Sequence, residues 1–152
     1  HRVPSISASD RDFDQDGDYW NGGVWPPPTT MVVRGLEAVG KYGLAREIAL
    51  NHYENVMGCF AATGTVWENY APSGPRQSSL SKPDNVGWSG LAPVGYLFEH
   101  VFGIRYDRER NMLRWTLGPM ETHGVRRFPF GPTGAADLIC AARSSANEKP
   151  RI

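Results

Sequence analysis

Two helical stripes divided by a glycine stop constrain this chain more than any other feature. Val32, Val33, Leu36 and Val39 recur at helical spacing, with Arg34 and Glu37 off the stripe. Thr29 or Thr30 can accept a backbone N–H as N-cap, so the spacing predicts a helix over 29–42. Gly40 and Gly43 then supply a stop and a tight turn. A second helix is expected over about 44–62. Its stripe is Leu44, Ile48, Val56 and Phe60, with Ala45, Ala49 and Tyr53 alongside. So few residues separate the two that they are expected to pair antiparallel.

A third helical stretch is expected near 86–102, where Trp88, Leu91, Val94, Leu97, Phe98 and Val101 recur mostly at steps of three and four. Pro93 lacks the N–H that would bond back to Ser89, so the helix must kink there or truly start near 92. After Gly103 the pattern changes to alternation. Leu113, Trp115 and Leu117 alternate with Arg114 and Thr116; Val125, Phe128 and Phe130 make a second strand; Ala136 to Ala142 makes a third. Gly118-Pro119, His123-Gly124, Gly131-Pro132 and Gly134 divide them. Residues 1–103 thus read as a helical part and 104–152 as a β-strand region. There is no internal repeat and no nucleotide-binding glycine motif.

A length of 152 residues suits one domain around one core. Sixteen acidic and 16 basic side chains leave no net charge, so nucleic acid is not an expected partner. No run approaches the ~20 apolar residues of a membrane span, so no membrane partner is expected either, and no signal peptide is visible. Cys59 and Cys140 do not make a disulfide framework. The chain starts with His1 rather than Met, and residues 144–152 read like the middle of a strand-and-turn region. It is therefore expected to be a piece of a longer protein, with the rest of that polypeptide as its partner.

Three stretches outside the helical stripes could carry chemistry. Residues 1–27 are loop by composition, being rich in Asp, Gly and Pro. Within them Asp12-Phe13-Asp14-Gln15-Asp16-Gly17 opens like a calcium loop. A complete helix–loop–helix site is ruled out, because its twelfth position is Gly23 and its flanks are not helical. The run remains either a solvated acidic loop or a partial calcium site at Asp12, Asp14 and Asp16. Next comes Asp18-Tyr19-Trp20-Asn21-Gly22-Gly23-Val24-Trp25-Pro26-Pro27, where two Trp and one Tyr sit on a Gly/Pro frame. Proline fixes the chain and glycine lets backbone approach a ligand closely. Rings held in this way stack on the C–H faces of sugars, or else pack the loop onto the helices.

The third stretch is Gly64-Thr65-Val66-Trp67-Glu68-Asn69-Tyr70, a loop with one carboxylate between two rings. Trp67 and Tyr70 can act as flat walls and Asn69 as a polar handle. Such surroundings are what a general base needs. The plainer alternative is a surface loop whose Glu68 caps a helix or pairs with an arginine. His52 lies beside the stripe of the second helix and reads as core or surface rather than ligand, and no two histidines have metal-ligand spacing.

In order, DYWNGGVWPP, a helix pair, TVWENY and VGWSGL resemble the catalytic module of glycoside hydrolase families 37 and 63. These include trehalases, processing α-glucosidases and mannosylglycerate hydrolase-like enzymes; the chain looks most like the last, bacterial branch. Asn21-Gly22 departs from the Arg-Gly often found at that step. The resemblance covers residues 18–103. It implies a mainly α fold, the C-terminal portion of an (α/α)6 six-hairpin barrel, followed by a short antiparallel β region. It also implies an inverting hydrolase of α-linked glucosides or mannosides, with an oligosaccharide or glycoside as substrate. By the resemblance Glu68 is the general base, while Tyr19, Trp20, Trp25, Trp67 and Trp88 line the sugar pocket. The family's general acid, an Asp well upstream of the first motif, has no counterpart here. Two rival readings are a non-catalytic carbohydrate-binding module with the same aromatic platforms, and a helical scaffold whose tryptophans are all core.

Overall fold

The computed structural model describes residues 1–152. The chain divides into two compact units, His1–Tyr96 and Leu97–Ile152.

In the first unit, helix α1 spans Pro26–Ala38 and α2 spans Tyr42–Thr63. Helix α1 starts earlier than expected because Pro26 occupies its first turn, where a missing N–H costs nothing. Thr29 and Thr30 are not caps. Their hydroxyls donate back to the carbonyls of Trp25 and Pro26, both at 2.9 Å. Val39-Gly40-Lys41 turns the chain, with Gly40 at φ 76°. Helix α2 then packs on α1 as expected and stops at Gly64, φ 75°. Its buried face is Ala45, Ile48, Ala49, His52, Val56 and Cys59, whereas Leu44 and Phe60 are exposed. The inward face is thus rotated from the expected stripe, toward its small residues and one histidine. No helix is long and apolar enough to cross a membrane.

The third helical stretch is broken, as Pro93 foretold, but at Gly90. Helix α3 covers Val86–Ser89 and α4 covers Leu91–Tyr96. Pro93 falls in the first turn of α4 and is tolerated there. Ala92, Pro93 and Tyr96 are buried, while Trp88, Leu91 and Val94 of the expected stripe are exposed.

Two apolar clusters hold this unit. One joins Val33, Ala45, Ile48, Ala49, Ala92 and Tyr96. The other joins Val24, Val56, Cys59 and Tyr70, with Trp67 against it. His52 links them, edge-on to Tyr70 at 6.2 Å and to Tyr96 at 5.7 Å between ring centroids.

The second unit opens on a π-helical turn, Leu97–Val101, and continues with β1 Ile104–Asp107, β2 Met112–Trp115, β3 His123–Phe130 and β4 Gly134–Cys140. Strand β1 was not expected from the sequence; it pairs antiparallel with β2, Ile104 opposite Trp115. Strands β3 and β4 form a separate antiparallel pair, with a bulge between Val125 and Phe128. Inside the bulge Arg127 takes φ 55° and donates its N–H to Asp137 at 2.8 Å.

The expectation of a mainly α, (α/α)6 barrel portion is overturned. Helix covers 33% of the chain and strand 18%, the latter in two small antiparallel sheets, so α1 and α2 are the one long helical pair present. The physical cause is the density of Gly and Pro. They keep residues 1–25 and most of 64–85 out of regular structure and split the third helical stretch in two.

His52 yields a prediction. It is fully buried, and burial pulls its pKa from the usual 6.5 down to about 3. The unfolded chain therefore binds a proton there between pH 6.5 and pH 3 that the folded chain refuses. Its contribution to stability is whole above pH 6.5 and shrinks as pH falls through that window, by up to about 1.4 kcal/mol per pH unit. Urea titrations at pH 7, 6 and 5 are expected to give a steeper loss for the native protein than for His52→Gln; parallel curves would contradict this.

Candidate functional site

Backbone hydrogen bonds bring the three aromatic stretches together. Val24 and Tyr70 exchange two of them, Val24 N–H to Tyr70 C=O at 2.8 Å and Tyr70 N–H to Val24 C=O at 3.0 Å. Tyr70 also bridges Gln77 on its other side, flanked by Ala71 N–H to Arg76 C=O at 2.9 Å. The segment carrying Glu68 is thus the middle of a short ribbon. The VGWSGL stretch, residues 86–91, and Asn85 before it close on this ribbon through Asn85 N–H to Val66 C=O at 3.0 Å and the Ser89 hydroxyl to Glu68 C=O at 2.7 Å.

The first stretch makes its own aromatic cluster. Trp20 and Trp25 stack with centroids 4.1 Å apart and planes 9° off parallel. Tyr19 stands edge-on to Trp25 at 4.9 Å. Trp25 is 3% exposed and donates its indole N–H to Tyr19 C=O at 3.3 Å. Trp20 and Tyr19 are 46% and 39% exposed, so one ring anchors the cluster while the others offer surface. Gly22 and Gly23 make the fold-back possible. Gly22 sits at φ 125°, and a Cβ on Gly23 would lie 2.2 Å from Tyr19 C=O.

Trp67 and Trp88 stand apart from that indole pair and make no ring contact with it. Trp67 leans on the second apolar cluster and donates its indole N–H to Thr63 Oγ1 at 3.0 Å. Trp88 is 53% exposed on α3.

Glu68 is held by its backbone. Its N–H donates to Lys82 C=O at 2.9 Å and its carbonyl accepts from Ser89. The side chain is half-buried; Oε2 is fully buried and accepts no hydrogen bond from the protein. It neither caps a helix nor pairs with an arginine. Most buried polar atoms are hydrogen-bonded, so this carboxylate oxygen is an exception, shared with His52 Nε2 and Asn69 Nδ2 in the same unit.

Sequence reasoning placed Tyr70 and Asn69 at the surface of a pocket, and both are inside. Tyr70 is 1% exposed, its phenol is pushed up to about 12 by burial, and its oxygen accepts Trp67 N–H at 3.2 Å. It is a strut for the loop rather than a wall. Asn69 is fully buried; its side-chain oxygen accepts from Ser78, and its Nδ2 has no partner. The Pro/Ser/Gly stretch after Tyr70 proves informative. With Trp67 and Asp16, the residues Arg76, Gln77, Ser78 and Ser81 line a cleft of about 360 Å3. The clustering of hydroxyls at 78, 79 and 81 behind an Arg-Gln pair is the signal that could have found it.

The acidic run is largely engaged in local structure. Asp10 and Asp14 accept the N–H groups of Asp12 and Asp16, and Asp16 pairs with Arg76 across the cleft. No three His, Cys, Asp or Glu side chains converge as metal ligands anywhere in the structure. Cys59 and Cys140 are both buried free thiols.

Residues 1–83 match the family model of the mannosylglycerate hydrolase MGH1-like glycoside hydrolase domain. The chain belongs to this family. The match takes in the first two aromatic stretches, including Glu68, and the cleft beside Trp67. An uncharacterized protein of Borreliella burgdorferi is 23% identical over 148 residues, which is 90% of this chain and 31% of that protein. The MGH1-like chain thus spans less than a third of that relative's length. No solved structure matches.

The close approach at Gly23 makes a testable point. Gly23→Ala is expected to cost about 2 kcal/mol or more, because the added methyl overlaps backbone and not a movable side chain. The stacked indoles should separate with it, so the near-ultraviolet circular dichroism of the Trp20–Trp25 pair should collapse along with the melting temperature. An unchanged spectrum would mean that the loop does not depend on this approach.

Proposed function

We propose that this MGH1-like domain supplies the general base of an inverting glycoside hydrolase that cleaves α-linked glucosides or mannosides. Glu68 is the base. The aromatic residues proposed to hold the sugar are Tyr19 and Trp20, with the buried Trp25 as their anchor, and, away from that cluster, Trp67 and Trp88. The observation that carries the reading is Glu68 Oε2, a buried carboxylate oxygen without a donor, on a loop fixed at both its N–H and its C=O.

An ionised carboxylate only accepts hydrogen bonds, so a free buried oxygen is suited to take a proton from water. In inversion that water attacks the anomeric carbon from the face opposite the leaving group. A carboxylic acid ~6.5–9.5 Å from the base meanwhile protonates the departing oxygen. The acid belongs to the remainder of the longer polypeptide, and the 152-residue chain alone is expected to show no turnover.

In the full-length protein, Glu68→Gln is expected to lower kcat on α-glucosides or α-mannosides by about 10²–10⁴-fold with little change in KM. Proton NMR of the first-formed sugar should show the anomer opposite to that of the substrate. Turnover within a few-fold of native would remove Glu68 from the base role. Sugar binding with no hydrolysis by either protein would favour a non-catalytic carbohydrate-binding module.

A further inference from the structure

We infer that the second unit carries a separate binding site for an anionic sugar residue of the uronate class, between the turns of its two hairpins. Tyr106, Arg108, Asn111, Gly131 and Pro132 line a recess of about 330 Å3 there. This lies at the small end of ligand sites, about 300–1,000 Å3, and has room for one sugar ring.

The Tyr106 phenol is the fixed part of the recess, while Arg108 and Asn111 stand exposed at its edge. The Tyr106 hydroxyl donates to Asn111 Oδ1 at 2.9 Å and accepts Gly131 N–H at 3.1 Å. Its ring is tilted against Phe130 at 5.3 Å between centroids. These contacts tie the β1–β2 turn to the β3–β4 turn and hold the phenol in place. Asn111 sits at φ 49° with its Oδ1 engaged, which leaves the Nδ2 hydrogens to donate elsewhere.

Charge decides the ligand class. Asp107, the last residue of β1 and next to Arg108, is taken by Arg110, through its N–H at 3.0 Å and its guanidinium at 3.6 Å. No carboxylate lines the recess, and Glu109 is not among its walls. The Arg108 carbonyl accepts Asn111 N–H at 3.4 Å, but its guanidinium has neither an ion pair nor a hydrogen bond. A planar guanidinium and an amide donor beside the rings of Tyr106 and Pro132 match a carboxylate on a compact, C–H-rich ring. The choice of a saccharide rests on the glycoside reading above, whereas the need for an anion rests on this recess alone.

Ligand-observed NMR titration of the 152-residue chain tests the assignment, with glucuronate, galacturonate, methyl α-glucoside and acetate as probes. At least one uronate is expected to bind with a dissociation constant of about 1 mM, and the neutral glucoside and acetate at least about tenfold more weakly. Arg108→Gln should weaken the uronate about tenfold, as should Asn111→Gly, which keeps the backbone turn but removes the amide. Amide shifts of the two hairpins report that the variants stay folded. Acetate binding as well as the uronates, equal binding of the glucoside, unchanged binding by the folded variants, or no binding at all would each overturn the proposal. Failure here leaves the Glu68 reading standing, because that is judged by turnover and anomeric configuration.

Discussion

The pairing of Val24 with Tyr70 is the interaction on which the first unit depends. Its two backbone hydrogen bonds join segments far apart in sequence, and both residues are buried, so water does not compete for the bonds. From this bridge the rest follows in sequence. Val24 leads directly into Trp25 and so fixes the indole stack. Tyr70 lies two residues after Glu68 and steadies that loop with its phenol. Gln77, on the far side of Tyr70, starts the hydroxyl-rich edge of the cleft.

Helices α1 and α2 serve this ribbon from behind. Val56 and Cys59 pack under Tyr70, and His52 fills the space between Tyr70 and Tyr96. A neutral imidazole there joins two apolar clusters that would otherwise meet across a gap. The arrangement has a cost. His52 Nε2 is buried without a partner, while Nδ1 meets the His1 ring at 2.8 Å. A polar group so placed contributes shape and ring contacts more than hydrogen bonding.

What could be read from the sequence follows the strength of local signals. The α1–α2 pair was legible from apolar spacing and the Gly40 stop, although Gly43, read as part of the turn, lies inside α2. The break in the third helical stretch was legible from Pro93, although Gly90 takes the break, since a proline in a first turn breaks nothing. The inward face of α2 was misjudged because alanines and a histidine, rather than Leu44 and Phe60, make the close contacts. Strand β1 escaped notice because only Ile104 of its four residues is buried, too little alternation to read. The larger barrel was inferred from a resemblance and is not what this chain forms. At the site, the aromatic motifs were legible, but the backbone pairing of Val24 with Tyr70 and the inward burial of Asn69 and Tyr70 were not. Their positions depend on Ser78, Ser81 and Val24, partners that no local pattern specifies.

Glu68 is anchored by its peptide groups while its carboxylate does no structural duty. The position of this residue is therefore set by its main chain and not by its side chain. Another side chain of similar size at this point would leave both peptide hydrogen bonds of the loop in place. The path of the loop is thus insulated from the identity of the group it displays.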